Sequence, residues 1–353
     1  MREQLHNALL KSGAVIDGAS GLPLHFGAPK AELHAALNVC SVADRSPLMR
    51  LIGDGPDLAD LLNRLSTNAV DALEPGRGAT TVLTTAKGRI VERLFVTHLG
   101  EAGLALVGGT GRTGAVLDHL KKYTFSEQTG LRDGSTEYAL LAIGGPSARE
   151  ALGVAGIEAP EPLGAVEAMH DGLKIYVLGH DGYAADGFSI LVSYGQAGSL
   201  WQALVLAVSK TDGRPAGELA LEVARVTRGV PAAGTELNED HNPLEAGLWD
   251  AVAFDKGCYV GQEVVARLNT YDKVSRRLFG LRIPENQPLV TAGTPLYRER
   301  QEVGAITTVA GLEGAATVAM AYVKTRSADV GDAVHLGTAG GPAVNLQAFP
   351  LSE

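Results

Sequence analysis

The run Lys256-Gly257-Cys258-Tyr259-Val260-Gly261-Gln262-Glu263 is the first place where residue type and spacing could do chemistry. Val264, Val265 and Leu268 follow at helical spacing, so a helix is expected to begin near Gln262 with Glu263 in its first turn. Free N–H groups at a helix start, and Lys256 two residues before the thiol, both favour thiolate. That reading predicts an accessible Cys258, more acidic than an ordinary thiol. Gly257 and Gly261 would let a ligand or a neighbouring loop approach the backbone closely. The alternative is a small buried hydrophobe in a tight turn, the usual fate of a free cysteine. Lys, Gly, Tyr, Gln and Glu are poor core material, so both readings stay open. Cys40, in Ala36-Leu37-Asn38-Val39-Cys40-Ser41-Val42-Ala43, reads as core.

Other charged and glycine-rich stretches carry weaker signals. Glu92 and Arg93 end the run Gly88-Arg89-Ile90-Val91-Glu92-Arg93, and Arg225 and Arg228 flank Val226-Thr227. By themselves these read as a solvent-facing strand edge and as the basic end of a helix. Gly109, Gly111 and Gly114 have dinucleotide-type spacing, but no Gly-Lys-Ser/Thr ending follows, and a turn is the better reading. The nine histidines are scattered, with neither His-x3-His nor paired Cys/His spacing, so no metal site is predicted.

These groups need elements to position them. Residues 31–46 read as a helix running into a loop, 49–55 as a strand and 56–67 as a helix with Leu58, Leu61, Leu62 and Leu65 on one face. A hairpin over 79–100 turns at Lys87-Gly88. A strand at 103–109 and a helix over 113–125 complete an α+β sandwich, with helices on one face of an antiparallel sheet. The same idea recurs from 138 to about 210. From 276 on, short strand-like runs separated by Gly and Pro predict a small β-barrel. The expected organisation is an α+β region over 1–272, in two subdomains, and a barrel over 276–353. At 353 residues, two or three domains are the natural division.

A net charge of -10 argues against strong direct nucleic-acid binding. Two cysteines are too few for a secreted disulfide framework. No long apolar run suggests a signal peptide or a membrane span. A cytoplasmic protein is expected.

The eight residues 256–263 resemble the K-G-C-Y-x-G-Q-E pattern of the YgfZ-type folate-binding proteins, relatives of the glycine-cleavage T protein (GcvT, aminomethyltransferase). Residues 21–27, 41–90, 242–259 and the C-terminal strands are similar to the same family. The resemblance implies a three-domain ring with a ferredoxin-like central domain and a C-terminal β-barrel, and tetrahydrofolate, or a one-carbon derivative, bound in a central channel. It implies a role in maturing or repairing iron–sulfur proteins, with effects on tRNA-modifying iron–sulfur enzymes. Its partners would be folate and iron–sulfur proteins or their assembly machinery. On that resemblance Cys258 and Lys256 would carry the chemistry. Tyr259, Gln262, Glu263, Arg267, Glu92 and Arg225 would bind the folate. The transferase branch has Gly-Gly-x-x-Asp-Asp where this chain has Gly88 to Arg93, and Arg-x-Glu-Ala-Gly where it has Arg225 to Gly229, with Thr227 in place of Glu. These departures argue against transfer from an aminomethyl-lipoyl arm. A folate-dependent one-carbon transferase and a pure interaction module are the competing readings.

Overall fold

The computed structural model describes residues 2–180, 187–285 and 290–352. The leucines at 58, 61, 62 and 65 are all buried on one side of the helix Leu58–Leu65. That helix and Thr113–Lys121 cover one face of a five-stranded sheet. Its strand order is Gly78–Thr84, Ile90–His98, Leu104–Thr110, Leu48–Gly53 and Arg132–Asp133.

A second sheet has six strands, in the order Ala165–His170, Leu173–Leu178, Gly187–Ser193, Tyr138–Gly144, Ser41–Asp44 and Arg214–Pro215. Helices Arg2–Lys11, Ala148–Val154 and Tyr194–Ser209 cover its outer face, around the fully buried Trp201. The expected loop after Asn38 is instead the strand Ser41–Asp44. It is held between Tyr138–Gly144 and Arg214–Pro215, where pairing on both sides outweighs a weak local preference.

Helices on one face of each sheet leave the other two faces free to meet. Ile52, Phe95 and Ala105 of the five-stranded sheet pack against Leu140, Tyr176, Leu178 and Leu191 of the six-stranded one. The sequence read one sandwich motif and its repeat; the structure stacks the two sheets face to face.

The C-terminal strands close into a six-stranded barrel, in the order Arg276–Ile283, Thr317–Lys324, Gln301–Ala310, Pro295–Arg298, Ala333–Leu336 and Ala343–Gln347. Phe279, Leu281, Ile306, Ala321 and Val334 are among the residues that fill it. Helix Glu218–Arg228 lies on the outside of the barrel, through Val223 and Val226 against Ala310, Val318 and Met320. Ala220 and Leu221 of the same helix pack against Ala43 and Ala142 of the six-stranded sheet, so the helix joins that sheet to the barrel. Among the described residues, no helix is long and apolar enough to cross a membrane.

Candidate functional site

Where the two sheets part, a cavity of about 230 Å³ remains, closed by helix Glu218–Arg228 and the segment 230–237. Strand alternation decides what it meets. Leu94 and Val96 face the helices, whereas Phe95 faces the second sheet. Arg93 shares the phase of Phe95 and lines the cavity with it. Thr84 pairs with Ile90 and Leu83 with Glu92, so a bulge falls at Val91, just before Glu92.

Glu92 also lines the cavity, but its carboxylate is occupied. It accepts from Gly109 N–H at 3.1 Å and from Arg112 Nε at 2.8 Å. Burial pushes its pKa up, against the opposing pull of Arg112 and Gly109. The expected solvent-facing edge is thus corrected. Glu92 is buried because its strand is not an edge: Ile90–His98 lies between Gly78–Thr84 and Leu104–Thr110, and Arg112 and Gly109 close over the carboxylate. The glycine-rich stretch is the turn the sequence predicted, and its Gly108, Gly109 and Thr110 line the cavity.

Arg225 is not on an exposed basic face either. It is buried, donating to both oxygens of Glu222 at 2.6 and 2.8 Å, to Val230 O at 2.6 Å and to Glu236 Oε2 at 3.3 Å. Burial opposes its charge, but the two glutamates outweigh burial and hold its pKa above the ordinary value. Thr227 lies on the same helix and is buried; its carbonyl accepts from Leu351 N–H.

His180 stacks on Phe95 with centroids 4.7 Å apart and planes at 17°. Burial, aided by the nearby Arg93, pulls its pKa down to about 3, so the ring is neutral. Leu48, Val107 and Leu221 supply apolar wall, Ser189 and Thr80 supply hydroxyls, and Arg45 is paired to Glu218 at 3.1 Å. The cavity thus offers an aromatic stack, apolar walls and charged groups that are mostly paired. That combination suits a flat, polar-edged ring.

The 256–263 segment lies elsewhere, packed on the tip of the hairpin. Val260 N–H donates to Arg64 O at 2.9 Å, and Thr84 Oγ1 donates to Val260 O at 2.5 Å. Gly261 has φ +87° and sits so close to Gly88 and Thr85 that a Cβ would lie 2.5 Å from Thr85 O. Helix Gln262–Thr270 starts where expected, with Val265 buried. Lys256 donates to the carbonyls of Asn63, Ser66 and Asn68 at 2.7, 3.0 and 2.7 Å. Burial pulls its pKa down to about 8, while three carbonyl acceptors favour the charged form. Tyr259 is buried, and burial pushes its hydroxyl up to about 12. Gln262 reaches Lys256 O at 3.5 Å. Glu263 and Arg267 are exposed, and so is Cys258.

Two amino-acid family descriptions match the chain: the GCVT N-terminal domain over residues 5–256, and the glycine cleavage T-protein C-terminal barrel domain over 276–349. The chain belongs to the glycine cleavage T-protein family. Among its relatives is a provisionally named chloroplastic transferase of Arabidopsis thaliana, 31% identical over 86% of this chain and 70% of that one. The aminomethyltransferase of Symbiobacterium thermophilum is 30% identical over 95% of this chain and 92% of its own. The crystal structure of the glycine cleavage system aminomethyltransferase T from Bartonella henselae superposes with a TM-score of 0.83. It covers 98% of this chain and 96% of that one at 24% identity, which establishes the T-protein fold.

Of the residues singled out in the sequence, the structure brings Glu92 and Arg225 to one cavity. Cys258, Lys256, Tyr259, Gln262, Glu263 and Arg267 do not line it. Sequence reasoning missed His180, Ser189, Glu222 and Glu236. Glu222 had a signal, three residues before Arg225 on one helix. Glu236, in a polar loop, had none.

Proposed function

We propose that this T-protein family member is a folate-dependent one-carbon transferase of the aminomethyltransferase class. The pterin ring of a tetrahydrofolate, or of a one-carbon derivative, occupies the cavity between the sheets. The observation that carries the reading is the cavity itself, at the junction of both sheets and the helix that docks the barrel. At about 230 Å³ it is smaller than the ~300–1,000 Å³ of sites that swallow a drug-sized ligand. It fits a head group with the rest of the molecule leading outward. Leu48, Val107 and the Phe95–His180 stack would hold the ring faces, and Glu222 and Ser189 its polar edges. The folate supplies the nucleophilic nitrogen that carries the one-carbon unit; the cavity's part is to orient the ring and exclude water. The folate-binding unit in this reading is 1–272, with 276–353 as the barrel that backs it.

Titration of the protein with tetrahydrofolate, followed by fluorescence, tests this. Saturable binding that Phe95→Ala weakens is expected. Absence of binding up to millimolar folate would overturn it.

A second reading is favoured by one specific feature, the exposed Cys258 in Lys256–Glu263, outside the cavity. In this YgfZ-type reading the protein binds folate and assists maturation or repair of iron–sulfur proteins, with tRNA-modifying enzymes among those affected. Cys258, on a loop tied down by Lys256, is the working residue. In cells lacking the native protein, Cys258→Ala would then fail to restore iron–sulfur enzyme activity while binding folate normally. Full restoration by the variant would remove this reading.

A further inference from the structure

Among the described residues, the charged groups around the cavity are paired with one exception. Arg45 has Glu218, Arg112 has Glu92, and Arg225 draws both Glu222 and Glu236. Arg93 has no hydrogen-bond or ion-pair partner among the described residues. Its guanidinium carries five N–H donors in a planar fork. The nearest opposite charge, Glu92, has one oxygen on Arg112 and the other on Gly109 N–H. Arg225 lies close enough to repel it. His180, also beside it, is neutral and cannot compensate the charge.

A guanidinium lining a small cavity with no partner among the described residues is costly unless something supplies the missing anion. Arginine cannot escape the cost by losing its proton, as lysine does. Strand phase aims it inward, so moving it to outer solvent would mean disturbing the hairpin strand Ile90–His98.

We propose that Arg93 makes this cavity a carboxylate site: the ligand presents a planar carboxylate that receives the Arg93 fork. Two sources share that chemistry. One is the glutamate tail of a folate; the other is a separate small carboxylate bound beside the ring. The second source refines the one-carbon reading by naming a substrate class. The proposal rests on that reading only for what shares the cavity with the carboxylate. The cavity's size favours a small group over an extended one, and a carboxylate matches the fork in two parallel hydrogen bonds.

The test compares the full-length protein with Arg93→Gln, which keeps the size and loses the charge, and Arg93→Lys, which keeps the charge and loses the fork. Each is titrated by calorimetry with tetrahydrofolate, with a tetrahydropterin lacking any carboxylate, and with formate and acetate. If the tail is the source, Arg93→Gln weakens tetrahydrofolate roughly 10- to 100-fold and leaves the tetrahydropterin unchanged. If a small carboxylate is the source, formate and acetate bind the native protein and lose that binding in Arg93→Gln. Arg93→Lys falls between in either case. Carboxylate binding that depends on Arg93 without any folate binding would retain this inference and reject the folate reading. Folate binding with no effect of Arg93→Gln, together with no Arg93-dependent binding of formate or acetate, would overturn the inference and leave the folate reading intact. Should Arg93→Gln fail to fold, the comparison of the native protein with Arg93→Lys decides. Identical affinities for all four probes would overturn the proposal.

Discussion

Replacing Glu236 by Gln tests how the barrel is held against the rest. Glu236 is fully buried, yet its carboxylate has a complete set of donors. Oε2 accepts from Ala232 N–H at 3.0 Å, Thr235 Oγ1 at 2.8 Å and Arg225 at 3.3 Å. Oε1 accepts from Thr307 and Thr308 Oγ1 at 2.6 and 2.5 Å, both on a barrel strand. Glutamine would turn a donating NH2 toward hydroxyls and an N–H, and would leave Arg225 with Glu222 and Val230 O. Breaking a buried pair costs about 3–5 kcal/mol, and the partners Arg225 retains place this one near 3. Unfolding entropy of ~2.1 cal/mol/K per residue over 353 residues is roughly 0.74 kcal/mol/K. The melting midpoint should then fall by about 4 °C if the chain melts as one unit, and by more if the barrel melts alone. The pH dependence supplies the second reading. Burial raises the pKa of Glu236, but Arg225, the two threonines and Ala232 N–H together lower it below its ordinary 4.5. Its contribution is therefore present above that value and is lost as pH falls through the depressed folded pKa. Calorimetry from pH 7 downward should show the native–variant difference shrinking below about pH 4.5. A midpoint unchanged at pH 7, or a difference that grows on acidification, would refute the reasoning.

Alkylation of the native protein should modify one thiol, Cys258, and Cys258→Ser should abolish that signal by intact mass. Cys40 is fully buried with its pKa pushed up to about 12, so it should react only in denaturant. Lys256→Met should lower stability by about 2–3 kcal/mol in urea unfolding, because three carbonyls around the end of helix Leu58–Leu65 lose their donor. Methylenetetrahydrofolate formation from an aminomethylated lipoyl carrier should be slow in the native protein, because Arg93 and Thr227 stand where the transferase pattern has acids, and one such contact is worth ~10²–10³ in rate. Fast turnover of that carrier would count against the expectation.

The helices, the hairpin and the barrel were legible because their periodicity is local. Leu58 to Leu65 mark one helix face, and the short β-runs after 276 follow one another into neighbouring strands. The strand Ser41–Asp44 was not legible, because what makes it a strand is pairing with residues about a hundred positions away. The burial of Glu92 was hidden for a similar reason. A Glu-Arg pair in a strand looks like a solvent face until a second sheet and the 111–112 turn are placed over it. Arg225 looked exposed at a helix end, because both its neighbouring glutamate on the helix and Glu236 on the following loop had to be brought to it. In general, the sequence shows which residues can carry charge, and only the fold shows which charges are answered.

The eight-residue segment illustrates the same point from the other side. Its strongest features as a sequence turn out to have structural work. Lys256 ties the loop to three carbonyls, and Gly261 allows the loop to lie against Gly88, a contact that a Cβ would prevent. Tyr259 is buried beneath it, with the Lys256 ammonium 5.4 Å from its ring centroid. Packing therefore accounts for Lys, Gly and Tyr at their positions. It does not account for the cysteine, whose side chain is exposed. A loop fixed this firmly by its neighbours holds Cys258 in one place on the surface, outside the cavity, without burying it. Any role for the thiol is thus separable from the cavity by substitution, since Cys258→Ala removes no contact that holds the loop and Arg93→Gln removes none that holds the thiol.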